Sequence, residues 1–249
     1  MSAEVTVERQ TMEVDVVCVG FGPAMGGFLT TLARGLVRED GAPAVESKVA
    51  PGLPLQVLCY ERADDIGFGV SGVVTKGRAI RATFPDLNPD EIPMAAPVRR
   101  EKVLYLLDPV GASRRPASLR AADRLIRMFR WVLPYEAHAV ELPYTPEFLH
   151  KKGGLILSIG QFMQWVGGEV MGSGVVQVWP ATPVERALVE DGKVVGVRLV
   201  DQGVGKTGQP EANYLPGMDI RASLTVVGDG PVGPVGRQLD EQFGLPEEH

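Results

Sequence analysis

The stretch Val14-Asp15-Val16-Val17-Cys18-Val19-Gly20-Phe21-Gly22-Pro23-Ala24-Met25-Gly26-Gly27 constrains this chain more than any other. Valines at 14, 16, 17 and 19 favour a buried strand that runs directly into a glycine turn. Helix-compatible sequence follows from Ala24 to Leu36. Strand, turn and helix together make an anion cradle, because the first amides of the helix point outward and its dipole favours negative charge. A dinucleotide pyrophosphate is held in this way. Gly20 and Gly22 take the first two places of G-x-G-x-x-G, Met25 stands in the third, and Gly26 comes one residue late. Gly26 is expected to compensate by a one-residue shift. An ordinary βα turn is the alternative reading.

A second apolar strand, Leu55 to Tyr60, ends at Glu61 and Arg62. An acid at the end of the second strand of a dinucleotide fold accepts hydrogen bonds from adenosine ribose hydroxyls. The intervening Gly- and Pro-rich loop, residues 34–54, makes the spacing about twice the usual ~20 residues. The plain alternative is a solvated strand-end carboxylate. Ile66 to Val74 then brings Gly67, Gly69 and Gly72 together with Ser71. Clustered glycines cost chain entropy and suit close approach of backbone to a ligand.

Near the far end, Ile220 to Val227 reads as a strand entering Gly228-Asp229-Gly230. A second strand end of this kind serves a long cofactor such as FAD, with the first turn on its pyrophosphate and Asp229 near its ribityl and phosphate middle. The pattern predicts an α/β protein: a Rossmann-like FAD-binding domain with three layers and a mainly parallel sheet, carrying an inserted β-rich segment. Residues 10–75 form its first part, 76–155 the inserted segment and 156–249 its return. The candidate cofactor-binding residues are Gly20, Gly22, Pro23, Ala24, Met25, Glu61, Arg62, Ser71, Gly72, Gly228, Asp229 and Gly230. No side chain presents itself as a catalytic acid, base or nucleophile, as expected where a cofactor carries the chemistry.

Composition narrows the classes further. A net charge of −6 argues against general nucleic-acid binding. No run reaches the ~18 uncharged apolar residues of a membrane span, and the first residues lack a basic region followed by an apolar core, so no secretory signal is expected. Cys18 and Cys59, the only two cysteines, lie in apolar runs and read as buried thiols. The four thiolates of an iron–sulfur cluster are not available from two, and three scattered histidines give no metal-ligand spacing.

Between the glycine clusters, Thr75 to Phe84 reads as a short helix and Val98 to Leu107 as a strand. Ala117 to Leu133 has helical spacing, with Leu119, Ala122, Ile126, Phe129 and Leu133 on one stripe and Arg120, Arg124 and Arg127 opposite. Residues 99–130 hold nine Lys/Arg and three Asp/Glu. The preferred reading is a core-packed helix with a solvated basic face; the alternative is an amphipathic helix on an anionic membrane or an acidic protein. Gly153 to Ile159 predicts a strand, Ser158 an N-cap or turn, and Gly160 to Met171 a helix. Val184 to Leu188 and Lys193 to Leu199 flank a hairpin turn at Glu190-Asp191-Gly192. A polar excursion occupies residues 201–218.

Several of these segments resemble electron-transfer flavoprotein–ubiquinone oxidoreductase in its N-terminal FAD-binding part. They are Met12 to Val17 with Gly20-Phe21-Gly22-Pro23-Ala24, Glu61 with Ile66-Gly67 and Ser71-Gly72, and Ala79 to Asp86. Leu157-Ser158-Ile159-Gly160 with Trp165-Val166-Gly167 adds to them. The most specific is Asp201 to Pro210 followed by Pro216-Gly217-Met218-Asp219-Ile220. The resemblance covers most of residues 10–245, with an extra segment near 111–145. It implies an FAD enzyme that takes electrons from reduced electron-transfer flavoprotein and passes them through a [4Fe–4S] centre to ubiquinone at a membrane surface. The family's cluster cysteines lie in a C-terminal half, so the expectation is a fragment or split component without the iron–sulfur part. Expected partners are electron-transfer flavoprotein, quinone and, peripherally, a membrane surface. The expected location is cytoplasmic, peripheral on the inner membrane. Two features depart from the family pattern: Met25 stands for the third glycine, and Pro231-Val232 replaces an arginine in the second cluster. The alternatives are another FAD-dependent oxidoreductase, of monooxygenase or polyprenyl reductase type, and a non-catalytic flavin-fold docking protein.

Overall fold

A computed structural model describes residues 7–68, 72–88, 92, 95–107, 115–133, 135–136 and 138–245. The chain forms two compact units, one of Met1–Val73, Arg78–Ala95 and Leu157–His249, the other of Val74–Gly77 and Ala96–Ile156. In chain order the first elements are β1 (Thr11–Val19), α1 (Pro23–Leu36), β2 (Val57–Tyr60), β3 (Gly72–Thr75), α2 (Arg78–Thr83) and β4 (Ala95–Pro97). Then come β5 (Leu104–Leu106), α3 (Ala117–Met128), β6 (Tyr135–Glu136), β7 (Ala139–Glu141) and β8 (Leu155–Ser158). The last are α4 (Ile159–Gly172), β9 (Val176–Trp179), β10 (Val184–Glu190), β11 (Lys193–Leu199), β12 (Gln202–Val204), β13 (Pro210–Leu215), β14 (Asp219–Val227) and α5 (Pro234–Phe243).

The larger unit is built on a six-stranded sheet in the order β10-β11-β14-β1-β2-β9. Strands β14, β1, β2 and β9 run parallel, and the β10–β11 hairpin joins β14 antiparallel. Val14 to Val19 is buried throughout, as a central parallel strand covered on both faces requires. Helix α1 turns Met25, Leu29, Ala33 and Leu36 inward at helical spacing. It packs closely on α4, since a Cβ on Gly26 would come within 2.7 Å of Met163 Cε and 3.1 Å of Val166 Cγ1. Gly26 is therefore a contact between helices, not a displaced third glycine of the turn. Cys18 and Cys59 are register partners on β1 and β2, both fully buried. Burial raises the Cys18 thiol to about 12 and shifts Cys59 in the same direction, so neither is a ready thiolate.

Asp15, buried among the β1 valines, organises the long loop before β2. Its Oδ1 accepts from the Lys48 amide at 2.7 Å and its Oδ2 from the Gln56 amide at 2.9 Å. At the β10–β11 turn, Asp191 and Gly192 both have positive φ, 49° and 72°, the signature of a type I′ hairpin. The polar excursion forms a second hairpin, β12–β13. Asp201 closes its base, accepting from the Arg9 guanidinium, from Tyr214 Oη at 2.8 Å and from the Gly217 amide at 2.8 Å.

The smaller unit contains a three-stranded antiparallel sheet, β5-β7-β6, and α3. The strand expected over Val98 to Leu107 is confined to Leu104–Leu106. The expectation of an apolar core stripe on α3 is corrected. Leu119, Phe129 and Leu133 are exposed, Ala122 and Ile126 are half-buried, and the residue α3 buries is Asp123. Tyr105 Oη donates to Asp123 Oδ1 at 2.8 Å and Arg115 Nη1 to Oδ2 at 2.9 Å. A paired carboxylate thus rotates the helix away from the face that apolar spacing favours. Arg127 departs from its expected solvated position too, with Nε and Nη2 both buried.

Candidate functional site

The C-terminal ends of β1, β2 and β14 converge on a cavity of about 320 Å³ in the larger unit. Gly20, Gly22, Pro23, Glu61, Arg62, Gly228, Asp229 and Gly230 all line it. This is where an open α/β sheet binds its ligand, outside the carboxyl ends of strands. Ala24 and Met25 lie on the first turn of α1 and Gly72 opens β3, while Ser71 falls outside the described residues.

Gly20 sits at φ 80°, and a Cβ there would strike the Gly228 carbonyl oxygen at 2.8 Å. The turn is accordingly pressed against the end of β14, and its own amide donates to the Tyr60 carbonyl at 2.8 Å. Gly22 is the N-cap of α1, with open space around any added Cβ. Among the described residues no side chain accepts from the first amides of this helix, its first turn carries no acid, and Pro23 at its start has no N–H. The amides of Ala24 and Met25 are thus its first donors, and they face the end at which the dipole is positive. A phosphate suits that end.

Glu61 takes part in the turn as well as the cavity. Its Oε2 accepts from the Phe21 amide at 2.6 Å and its Oε1 from the Ala63 amide at 2.8 Å. A carboxylate has roughly four acceptor positions, so both oxygens retain capacity for ribose hydroxyls. The same side chain therefore braces the glycine turn and offers acceptors to a ligand.

Asp229 lines the cavity and also serves the start of α5. Its Oδ2 accepts from the Val235 and Gly236 amides at 2.9 and 3.3 Å, capping the start of α5. Other wall residues had weaker sequence signals. Gly67 is needed because a Cβ there would meet the Gly160 carbonyl oxygen at 2.2 Å, and both glycines line the cavity. Gly67 belongs to a conspicuous glycine run and Gly160 to the strand–helix junction already marked at Ser158, whereas nothing local marks Met163, further along α4.

These residues fit the phosphate and adenosine-ribose part of a dinucleotide: an uncapped helix start, glycines that let a ligand approach, and an acid at the second strand end. In comparison with known proteins, the likeness is to electron transfer flavoprotein-ubiquinone oxidoreductase. Over 245 residues the chain is 29% identical to that protein of Pseudomonas aeruginosa, covering 97% of this chain and 38% of the relative. To the mitochondrial protein of Mus musculus it is 27% identical over 244 residues, covering 97% of this chain and 33% of the relative. The chain thus spans little more than a third of these relatives, consistent with an N-terminal part of them. No family model matches. Among solved structures, a geranylgeranyl bacteriochlorophyll reductase-like protein from Thermoplasma acidophilum aligns over 91% of this chain and 42% of its own, at 16% identity and a TM-score of 0.49. The flavin-dependent monooxygenase PieE, solved with FAD and substrate, aligns over 94% and 32%, at 15% identity and a TM-score of 0.46.

Proposed function

We propose that this chain is the FAD-binding part of an oxidoreductase that carries electrons from reduced electron-transfer flavoprotein towards ubiquinone. The observation that carries the reading is the meeting of the uncapped α1 start with Glu61 at the ends of adjacent parallel strands. When bound, FAD accepts and releases the electrons. The chain's residues bind and orient it: the Ala24 and Met25 amides hold the diphosphate, and Glu61 accepts from the ribose hydroxyls. Gly20, Gly22 and Gly230 leave room for the approach.

Onward transfer through a [4Fe–4S] centre needs about four thiolates. The two cysteines of this chain are buried in its sheet, so those ligands come from outside it. No helix among the described residues is long and apolar enough to cross a membrane. Peripheral attachment on the inner membrane is supported instead by the α3 region, where Leu125, Met128, Trp131 and Val132 are exposed beside Arg120, Arg124 and Arg130.

FAD titration followed by calorimetry tests the assignment. One FAD is expected per chain, with affinity falling at least tenfold in Glu61→Ala. Absence of FAD binding by the folded native protein would overturn it.

A further inference from the structure

The starts of α1, α4 and α5 all border the cavity, and the chain treats those of α1 and α5 in opposite ways. At α1 no side chain among the described residues caps the first turn. At α5 the first turn is satisfied from within: Pro234 has no N–H, Val235 and Gly236 donate to Asp229 Oδ2 at 2.9 and 3.3 Å, and the Arg237 amide donates to the Gly233 carbonyl. The sequence is fitted to this arrangement. A Cβ on Gly233 would lie 2.0 Å from Asp229 Cγ, and one on Gly236 3.2 Å from its Oδ1. Both glycines thus make space for the carboxylate against the helix. A cavity of about 320 Å³ lies at the lower end of the roughly 300–1,000 Å³ spanned by small-molecule sites.

We infer that Asp229 is a specificity-determining residue that withholds the first amides of α5 from the ligand, so that the chain recognises the adenosine-diphosphate half of a dinucleotide more strongly than the flavin half. The inference rests on the reading of the α1 cradle given above. A carboxylate held on the α5 amides occupies the Val235 and Gly236 N–H donors and puts a negative charge where a second anionic or carbonyl group of the ligand would seek positive potential. Binding strength is then concentrated at Ala24, Met25 and Glu61.

Calorimetric titration of the native protein with ADP and with FAD is the direct test. Dissociation constants for the two are expected to agree within about threefold. In Asp229→Ala, which frees the Val235 and Gly236 amides, the ratio of FAD to ADP affinity should rise about tenfold. Asp229→Asn keeps an oxygen that accepts from the same amides but removes the charge, so the ratio should rise by less than in Asp229→Ala. FAD binding 100-fold tighter than ADP in the native protein would overturn the inference, as would an unmoved ratio in folded Asp229→Ala. If neither ligand binds, the cradle reading itself fails and the inference falls with it.

Discussion

Met25 occupies the space that a side chain at residue 228 would need: a Cβ placed on Gly228 comes within 3.0 Å of Met25 Cε and 3.5 Å of Met25 Cβ. The bulk at the third-glycine position of the turn is thus matched by a glycine at the end of β14. Met25 is 2% exposed, so the helix reaches the sheet through this side chain rather than through a bare backbone.

This pairing predicts non-additive stability. Gly228→Ala should cost about 1–2 kcal/mol through overpacking, and Met25→Ala about 2–3 kcal/mol through lost packing. In the double variant the alanine methyl enters space the methionine has left, so its cost should fall short of the sum of the two by about 1 kcal/mol. Urea denaturation of the four proteins measures the cycle, and simple additivity would separate the two residues.

Asp15 should give stability a distinct acid dependence. Burial raises its pKa, but hydrogen bonds from Gln56, Ser47, Lys48 and Val49 outweigh that and leave it lowered. Its contribution is therefore complete above the ordinary carboxylate value of about 3.9 and lost as pH falls through the lower folded-state value. Asp15→Ala should lose about 2–3 kcal/mol at pH near 7, because amides of the 48–56 loop lose their buried acceptor. The difference from native should shrink below pH ~3.5. Urea midpoints across that range read it directly, and a gap independent of pH would contradict the role assigned to the carboxylate.

The larger unit was legible in sequence wherever local chemistry and burial agree. Valine runs marked β1, β2 and β14, and the Asp191-Gly192 pair marked a hairpin whose φ values require those residues. The glycine turn was legible for the same reason. Asp15 and Asp123 were not, because a buried carboxylate depends on donors far along the chain: Gln56 for one, Tyr105 and Arg115 for the other. Asp229 illustrates a finer limit. Its place beside the cavity followed from the motif, but its direction was decided by Gly233 and Gly236, whose missing side chains admit the carboxylate.

The face of α3 makes a separate prediction. Trp131 is 81% exposed, Met128 60% and Leu125 57%, an apolar surface next to exposed arginines. Vesicles rich in anionic phosphatidylserine should bind the native protein, with attraction of about 1 kcal/mol per Lys/Arg near the surface. Arg120→Ala with Arg124→Ala should weaken co-sedimentation about tenfold or more, and Trp131→Ser should weaken it at fixed charge. Arg127, with two buried guanidinium nitrogens, is the wrong residue for this test because its loss perturbs the fold. Equal co-sedimentation of all variants would mean that the surface meets something other than lipid.

The central claim is that the open start of α1 binds a dinucleotide diphosphate, and Gly22→Asp tests it most directly. Gly22 has φ −92° and ψ −178°, which any residue adopts, and an added Cβ meets nothing within 4 Å. Aspartate is also a favoured N-cap, so the thermal midpoint should hold or rise slightly. Its carboxylate would take the amides and the positive end of the dipole that the phosphate requires. Calorimetry should then show FAD affinity at least 100-fold below native in a protein of undiminished stability. Unchanged FAD affinity in folded Gly22→Asp would contradict the account.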